Sequence, residues 1–175
     1  EDVSSETLAS MYGVHRATVA REGSEGADAR LLHADGELVR VTLAEKLLLL
    51  LTAKLVNLVP DGGIWMTTQR PEWNDANNAL VGRGVSVVTL AQLRRYVVAL
   101  EGLAGAASVT DEFADLVAAV TAALRAHVGQ AARGFDPAER RTVMDALGTA
   151  GSVYRTRVYA GLSGRRAVLE ADAVR

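Results

Sequence analysis

The chain has 175 residues, a formal net charge of −2 at pH 7 and 49% apolar residues. This size and apolar content suit a globular protein with a substantial core, and the charge gives no overall attraction to nucleic acid or to an anionic membrane. The absence of cysteine excludes disulfides and thiolate metal sites. The three histidines lack the spacing of metal ligands, so we expect no metal and no cofactor.

The start of the chain shows no basic stretch followed by an apolar one, so we expect no signal peptide and a cytoplasmic protein. The apolar run from Leu47 to Val59 is shorter than the ~20 residues of a membrane span. It is also interrupted by Lys54 and Asn57. We therefore expect a buried helix here and no membrane partner.

Leu8 to Arg21, LASMYGVHRATVAR, resembles the helix–turn–helix of winged bacterial repressors. In that motif a glycine, here Gly13, makes the tight turn before a recognition helix that enters the major groove. Only seven residues precede Leu8, and the acids around the motif oppose contacts with phosphate. DNA binding is therefore the less favoured alternative, and we expect no nucleic-acid partner.

Residues 1–41 are predicted to form an irregular N-terminal segment. Within it, the stretch from Ala29 to Val41 predicts a β-hairpin that turns at Asp35-Gly36. Residues 42–175 carry helical signals in several segments and are predicted to form a region of helical hairpins with an acid-bearing loop at 60–86.

The first two predicted helices are apolar around most of their circumference. One begins at Thr42 with a capping box, in which Thr42 accepts from the first turn and Glu45 reaches back to the Thr42 N–H, and it runs to about Leu58. The other runs from about Val85 to Leu100. We expect both helices to be enclosed by neighbouring elements.

The next two predicted helices have one apolar face each. One begins near Thr110, and its apolar residues recur at steps of three and four up to Ala131; the other begins with a capping box at Asp136 and ends at Gly161. A short fifth helix is predicted from about Gly164. Two enclosed and two one-sided helices predict an all-α fold with two layers of helical hairpins.

The loop between the first two helices concentrates polar and aromatic side chains. Glu72 and Asp75 supply two carboxylates, and cleavage of a glycosidic bond uses one carboxyl as proton donor and usually a second for the attacking group. Trp65 and Trp73 offer indole faces for sugar rings. Four further side chains are predicted to contact sugar hydroxyls or to pair with the acids: Gln69, Arg70, Asn74 and Asn78.

The core of this loop, WNDANNALVGRGVS from Trp73 to Ser86, resembles a segment of glycoside phosphorylases of the cellobiose and chitobiose phosphorylase type. It is also similar to the wider class of six-hairpin glycosidases, whose catalytic domain is an (α/α)6 toroid. The resemblance implies that Asp75 is the general acid and that an oligosaccharide or glycoside is the substrate. It also implies that these residues are part of a larger catalytic domain, since a toroid needs twelve helices.

The chain departs from that family at Glu72, where the family usually has an aspartate, and in lacking recognisable phosphate-binding residues. Hydrolysis and phosphorolysis therefore both remain open. So does a non-catalytic helical module for glycan binding or structure, in which Trp73 closes the core and Asp75 caps a turn. Exposed helix faces are expected to favour self-association.

Overall fold

The computed structural model describes residues 33–34, 37–67, 83–101 and 105–170. Within these ranges the chain forms five helices and seven strands. The helices are α1 (Leu43–Leu55), α2 (Val87–Glu101), α3 (Asp111–Arg125), α4 (Val128–Ala131) and α5 (Pro137–Ala160). The strands are β1 (His33–Ala34), β2 (Glu37–Leu38), β3 (Leu58–Val59), β4 (Gly63–Thr67), β5 (Arg83–Ser86), β6 (Ala107–Thr110) and β7 (Arg166–Leu169).

The strands form small antiparallel sheets, so the prediction of an all-α fold built from layered hairpins like part of a toroid is wrong. In the described residues the sheet orders are β1-β2, β3-β4-β5 and β6-β7. The fold is mixed, with most of the described chain helical. The first pair joins His33 to Leu38 and Ala34 to Glu37, on either side of the turn predicted for the N-terminal hairpin.

The prediction of a fifth helix from about Gly164 is wrong, because this segment forms the strand β7, which pairs with β6. Ala107 pairs with Leu169 and Val109 with Ala167. Ala107, Val109 and Leu169 are buried, whereas Ser108 and Val168 between them are exposed. This alternation has the period of two that is typical of a strand with one buried face. Four residues are too few to show this period in the sequence, so the strand is identified by its pairing with a segment far along the chain.

The helix α1 ends earlier than predicted because the chain enters a second sheet. Val56 is the C-cap, and β3 then pairs antiparallel with the start of β4, Leu58 opposite Ile64. Asp61 turns the chain between the two strands with a φ of 58°, and its Oδ2 accepts a hydrogen bond from the Phe135 N–H at 2.8 Å. This contact attaches the β3–β4 turn to the segment that leads into α5.

The core lies mainly between α3 and α5, with contributions from α1, α2 and the β6–β7 pair. The predicted apolar face of α3 is buried at Phe113, Leu116, Val117 and Val120, and that of α5 at Val143, Leu147 and Ala150. The prediction that α1 and the following helix are enclosed is wrong. Their exposed apolar side chains include Leu43, Leu50, Val87, Val88 and Val98.

The helix α5 begins as its sequence predicts. Asp136 accepts from the Glu139 N–H at 2.8 Å while Glu139 accepts from the Asp136 N–H at 3.1 Å, which completes a capping box with proline at the first helical position. It ends at Gly161, whose φ of 123° suits glycine alone. Among the described residues, no helix combines the length and the apolar character needed to cross a membrane.

Candidate functional site

Most of the predicted catalytic and sugar-binding residues lie outside the described residues. These are Gln69, Arg70, Glu72, Trp73, Asn74, Asp75 and Asn78. The helix–turn–helix candidate from Leu8 to Arg21 lies outside them as well. Of the predicted site residues, Trp65 falls within the described part of the chain.

The segment that carries the predicted acids connects two paired strands. Thr67, the last residue of β4, is the partner of Arg83, the first residue of β5. A β-ladder, rather than a helix at each side, holds both ends of this loop, and α2 begins directly after β5. The two residues that flank 68–82 therefore lie opposite each other on paired strands.

Trp65 lies in the middle of β4, on the face opposite the buried Ile64, and its side chain is 44% exposed. Its cross-strand partner is Val85, and its backbone N–H donates to the Asn57 carbonyl oxygen at 2.8 Å. A half-exposed tryptophan on a paired strand is a candidate platform for an apolar sugar face.

Glycine allows the β4 and β5 strands to approach at Gly63. Its φ is 151°, and a Cβ built there would lie 2.7 Å from the Ser86 carbonyl oxygen. The Gly62-Gly63 pair is visible in the sequence, but nothing there shows which strand lies against it. At this same end of β5, the Ser86 hydroxyl accepts from the Thr89 N–H at 3.1 Å and so supports the first turn of α2.

A buried carboxylate links α1 to β6. The Glu45 Oε1 accepts from the Thr110 hydroxyl at 2.6 Å, and its Oε2 accepts from the Thr110 N–H at 3.1 Å. The Arg166 guanidinium lies 3.5 Å from the same carboxylate. In the predicted capping box, the first contact is present because Thr42 accepts from the Glu45 N–H. The prediction that the Glu45 side chain accepts from the Thr42 N–H is wrong, because this side chain accepts from Thr110 instead.

A second buried carboxylate belongs to Glu112, in the first turn of α3. Its Oε1 accepts from the Ser163 N–H at 2.9 Å, whereas its buried Oε2 has no hydrogen-bond partner within the described residues. Burial raises the pKa of this carboxyl, but the hydrogen bonds from Ser163 and from its own backbone N–H, together with the charge of Arg157, outweigh burial. The net pKa lies below its ordinary value, so Glu112 is ionised at neutral pH.

Glu112 lines a cleft of about 220 Å³ between α3 and α5. The α3 side contributes Glu112, Asp115, Leu116 and Ala119; the α5 side contributes Ala146, Thr149, Ala150, Val153, Tyr154 and Arg157. Burial raises the pKa of Tyr154 to about 12, and the charges of Glu45 and Glu112 add to this effect. The Tyr154 hydroxyl therefore stays protonated and remains a hydrogen-bond donor at neutral pH.

Sequence reasoning missed this cleft. The spacing of three and four residues along each helix shows that the lining residues share a face. Nothing in the sequence shows that these two faces lie opposite each other.

The described residues include no group of three or more His, Asp or Glu side chains that suits a metal ion. His127 lies between α3 and α4, and its Nδ1 is 2.9 Å from the Ala123 carbonyl oxygen, a local contact within the helical region. Neither the scan against protein-family models nor the search of curated proteins finds a match to this chain.

Proposed function

We propose that this chain is part of a carbohydrate-active enzyme that cleaves glycosidic bonds, with Asp75 as the general acid. The observation that carries the proposal is the β4–β5 ladder, which holds the two ends of the segment containing Trp73-Asn74-Asp75 and bears the exposed Trp65. A paired β-ladder that carries a half-exposed tryptophan supports a sugar site in this part of the chain. The proposal concerns the reaction and does not include the toroidal fold.

In this reaction Asp75 donates a proton to the glycosidic oxygen while the bond from that oxygen to the anomeric carbon breaks. Water or inorganic phosphate forms the new bond at the anomeric carbon, which gives hydrolysis or phosphorolysis respectively. Glu72 is assigned the second carboxylate, which accepts the proton of an attacking water. Trp65 and Trp73 stack on the sugar, and Gln69, Arg70, Asn74 and Asn78 contact its hydroxyls or the acids.

The test of the acid uses two substrates in the full-length protein. An alkyl glycoside or disaccharide needs its leaving oxygen protonated, whereas a dinitrophenyl glycoside does not. We expect Asp75→Asn to lower kcat/KM for the first by about 10²- to 10⁴-fold and for the second far less. Assays with and without phosphate, with detection of a sugar 1-phosphate, separate the two reactions.

The matched control is Asp145→Asn, which removes an exposed carboxylate on α5 that pairs with Arg141. This variant should leave both rates unchanged. Equal losses on the two substrates, or undiminished turnover of the disaccharide by Asp75→Asn, would contradict the assignment of Asp75 as the acid.

The accessible indole of Trp65 also favours a second candidate, glycan binding without cleavage. The chain has two tryptophans, so Trp73→Phe leaves Trp65 as the single indole. Quenching of its fluorescence by an oligosaccharide, without release of a reducing end or a sugar phosphate, would select binding. Absence of any sugar response in both Trp73→Phe and Trp65→Phe would contradict glycan binding and glycoside cleavage alike.

A further inference from the structure

The strand β7 has one edge that no other strand covers within the described residues. It pairs with β6 alone, in a two-stranded sheet. Each edge of a sheet presents backbone N–H and C=O groups to whatever lies beside it. At the β6 edge these groups have partners, because the Ser108 carbonyl oxygen accepts from the Thr42 hydroxyl at 3.0 Å and the Thr110 N–H donates to Glu45 at 3.1 Å. The open edge of this sheet is therefore that of β7.

The hydrogen bonds of β6 show which backbone groups of β7 point outward. In an antiparallel ladder, residues that exchange hydrogen bonds alternate with residues whose N–H and C=O point away from the partner strand. Ser108 and Thr110 direct these groups to side chains at the start of α1, away from β7. The residues opposite them, Val168 and Arg166, therefore point their own N–H and C=O away from β6. In the part of the chain that the structure describes, no hydrogen bond reaches these outward groups.

The side chains along this edge are complementary to an antiparallel copy of themselves. Arg165 and Arg166 lie at the start of β7 and Glu170 follows its end, and all three residues are exposed. Val168 lies between them and is 62% exposed. A second copy that runs antiparallel places its Glu170 near the two arginines, and a two-fold axis repeats this contact at the other end. A parallel copy would place like charges side by side.

The two arginines already lie close to acids of their own chain. Arg165 pairs with Asp111 at 2.8 Å, and Arg166 lies 3.5 Å from Glu45. The charges at the edge therefore select the orientation of the second copy, whereas the backbone groups and the exposed valine supply the contact.

We propose that two copies of this chain associate through β7, antiparallel about a two-fold axis, so that the two β6–β7 pairs form one continuous sheet. The outward groups determine the register. Arg166 of each copy exchanges backbone hydrogen bonds with Val168 of the other, and Ala167 faces its own counterpart at the axis. The two Val168 side chains then lie diagonally across the new ladder, which withdraws them from water. This surface is separate from Asp75 and does not depend on glycoside cleavage.

The first test is sedimentation equilibrium of the full-length protein. An edge of four residues buries less area than a stable interface, so we expect monomer to convert to dimer between roughly 1 μM and 1 mM. Val168→Lys places two cations close together across the axis, and it should raise the Kd of the dimer about tenfold or more. The matched control is Val153→Lys, at a valine of α5 that is 52% exposed, and it should leave this Kd unchanged.

The second test traps the register with a disulfide, because the chain has no cysteine of its own. In the proposed register, Ala167→Cys brings two thiols together at the axis, where the Cα atoms of a non-hydrogen-bonded pair lie about 4.5 Å apart. A disulfide spans this distance. Copper phenanthroline with dissolved oxygen should therefore give a covalent dimer of Ala167→Cys, whereas Val153→Cys should remain largely monomeric.

A further variant leaves the strand itself untouched. Glu170→Lys reverses the charge that follows β7, and it should raise the Kd of the dimer about 2- to 10-fold, with circular dichroism as the check that the fold is retained. Monomer at every concentration, a dimer that Val168→Lys and Glu170→Lys leave unchanged, or equal trapping of the two cysteine variants would each overturn the proposal. Because the readout is the mass of the protein, failure here leaves the assignment of Asp75 intact.

Discussion

Replacing Glu45 with alanine distinguishes a helix cap from a bridge across the core. The sequence assigns Glu45 to a capping box, whereas the structure has its buried carboxylate accepting both the N–H and the hydroxyl of Thr110. Glu45→Ala removes both acceptors at once. It also leaves two donors of Thr110, itself 5% exposed, without partners in the interior.

The expected loss follows from these two contacts. Hydrogen bonds to a charged group contribute about 1.5–3 kcal/mol each, and a buried donor left without a partner costs about 1–3 kcal/mol. We therefore expect Glu45→Ala to lower the free energy of unfolding by about 3–5 kcal/mol. A residue that only capped α1 would contribute about 1 kcal/mol. Total stabilities of about 5–15 kcal/mol make the larger loss easy to measure.

Urea denaturation followed by circular dichroism measures the difference. Glu139→Ala is the matched control, because Glu139 completes a capping box at the exposed start of α5. Glu45→Ala should be far more destabilising than Glu139→Ala. Adding Thr110→Val to Glu45→Ala should recover part of the lost stability, because it removes the hydroxyl donor that Glu45→Ala leaves unpaired. Similar midpoints for the two alanine variants would refute the argument that Glu45 acts as a bridge.

Three further outcomes are expected. The pKa of Glu112 is lowered in the folded protein, so the stability that its ionised form provides is present above its unfolded pKa and is lost as the pH falls through the folded pKa. The urea midpoint should therefore decline less steeply from pH 7 to pH 3 in Glu112→Gln than in the unmodified protein. An unchanged decline would contradict this. Gly63→Ala places a Cβ 2.7 Å from a strand carbonyl oxygen at a positive φ, and it should cost about 1–3 kcal/mol in thermal unfolding, whereas Gly105→Ala, with open space around it, should cost much less. Leu147→Ala, at a fully buried position, should cost about 2–5 kcal/mol, whereas Val153→Ala at an exposed position of the same helix should be nearly neutral; equal losses would place the core elsewhere.

The part of the fold that the sequence predicts is the part encoded by neighbours along the chain. The capping box at Asp136 and Glu139, the apolar face of α3 and the stop at Gly161 all depend on contacts within four residues. The hairpin strands on either side of Asp35-Gly36 pair as their turn signal indicates. The candidate site was predicted from the tryptophans and acids of the sequence. Of these residues, Trp65 lies within the described part of the chain.

Only the tertiary structure decided which distant segments meet. Four-residue strands such as β6 and β7 have too little pattern to be told from helix, and each becomes a strand because the other lies beside it. The same holds for Glu45, whose local partner at the helix end is replaced by Thr110, 65 residues away. The cleft at Glu112 likewise arises where two helix faces meet. Local propensity fixed the helices, but burial and pairing across the chain determined the sheets, the bridges and the cleft.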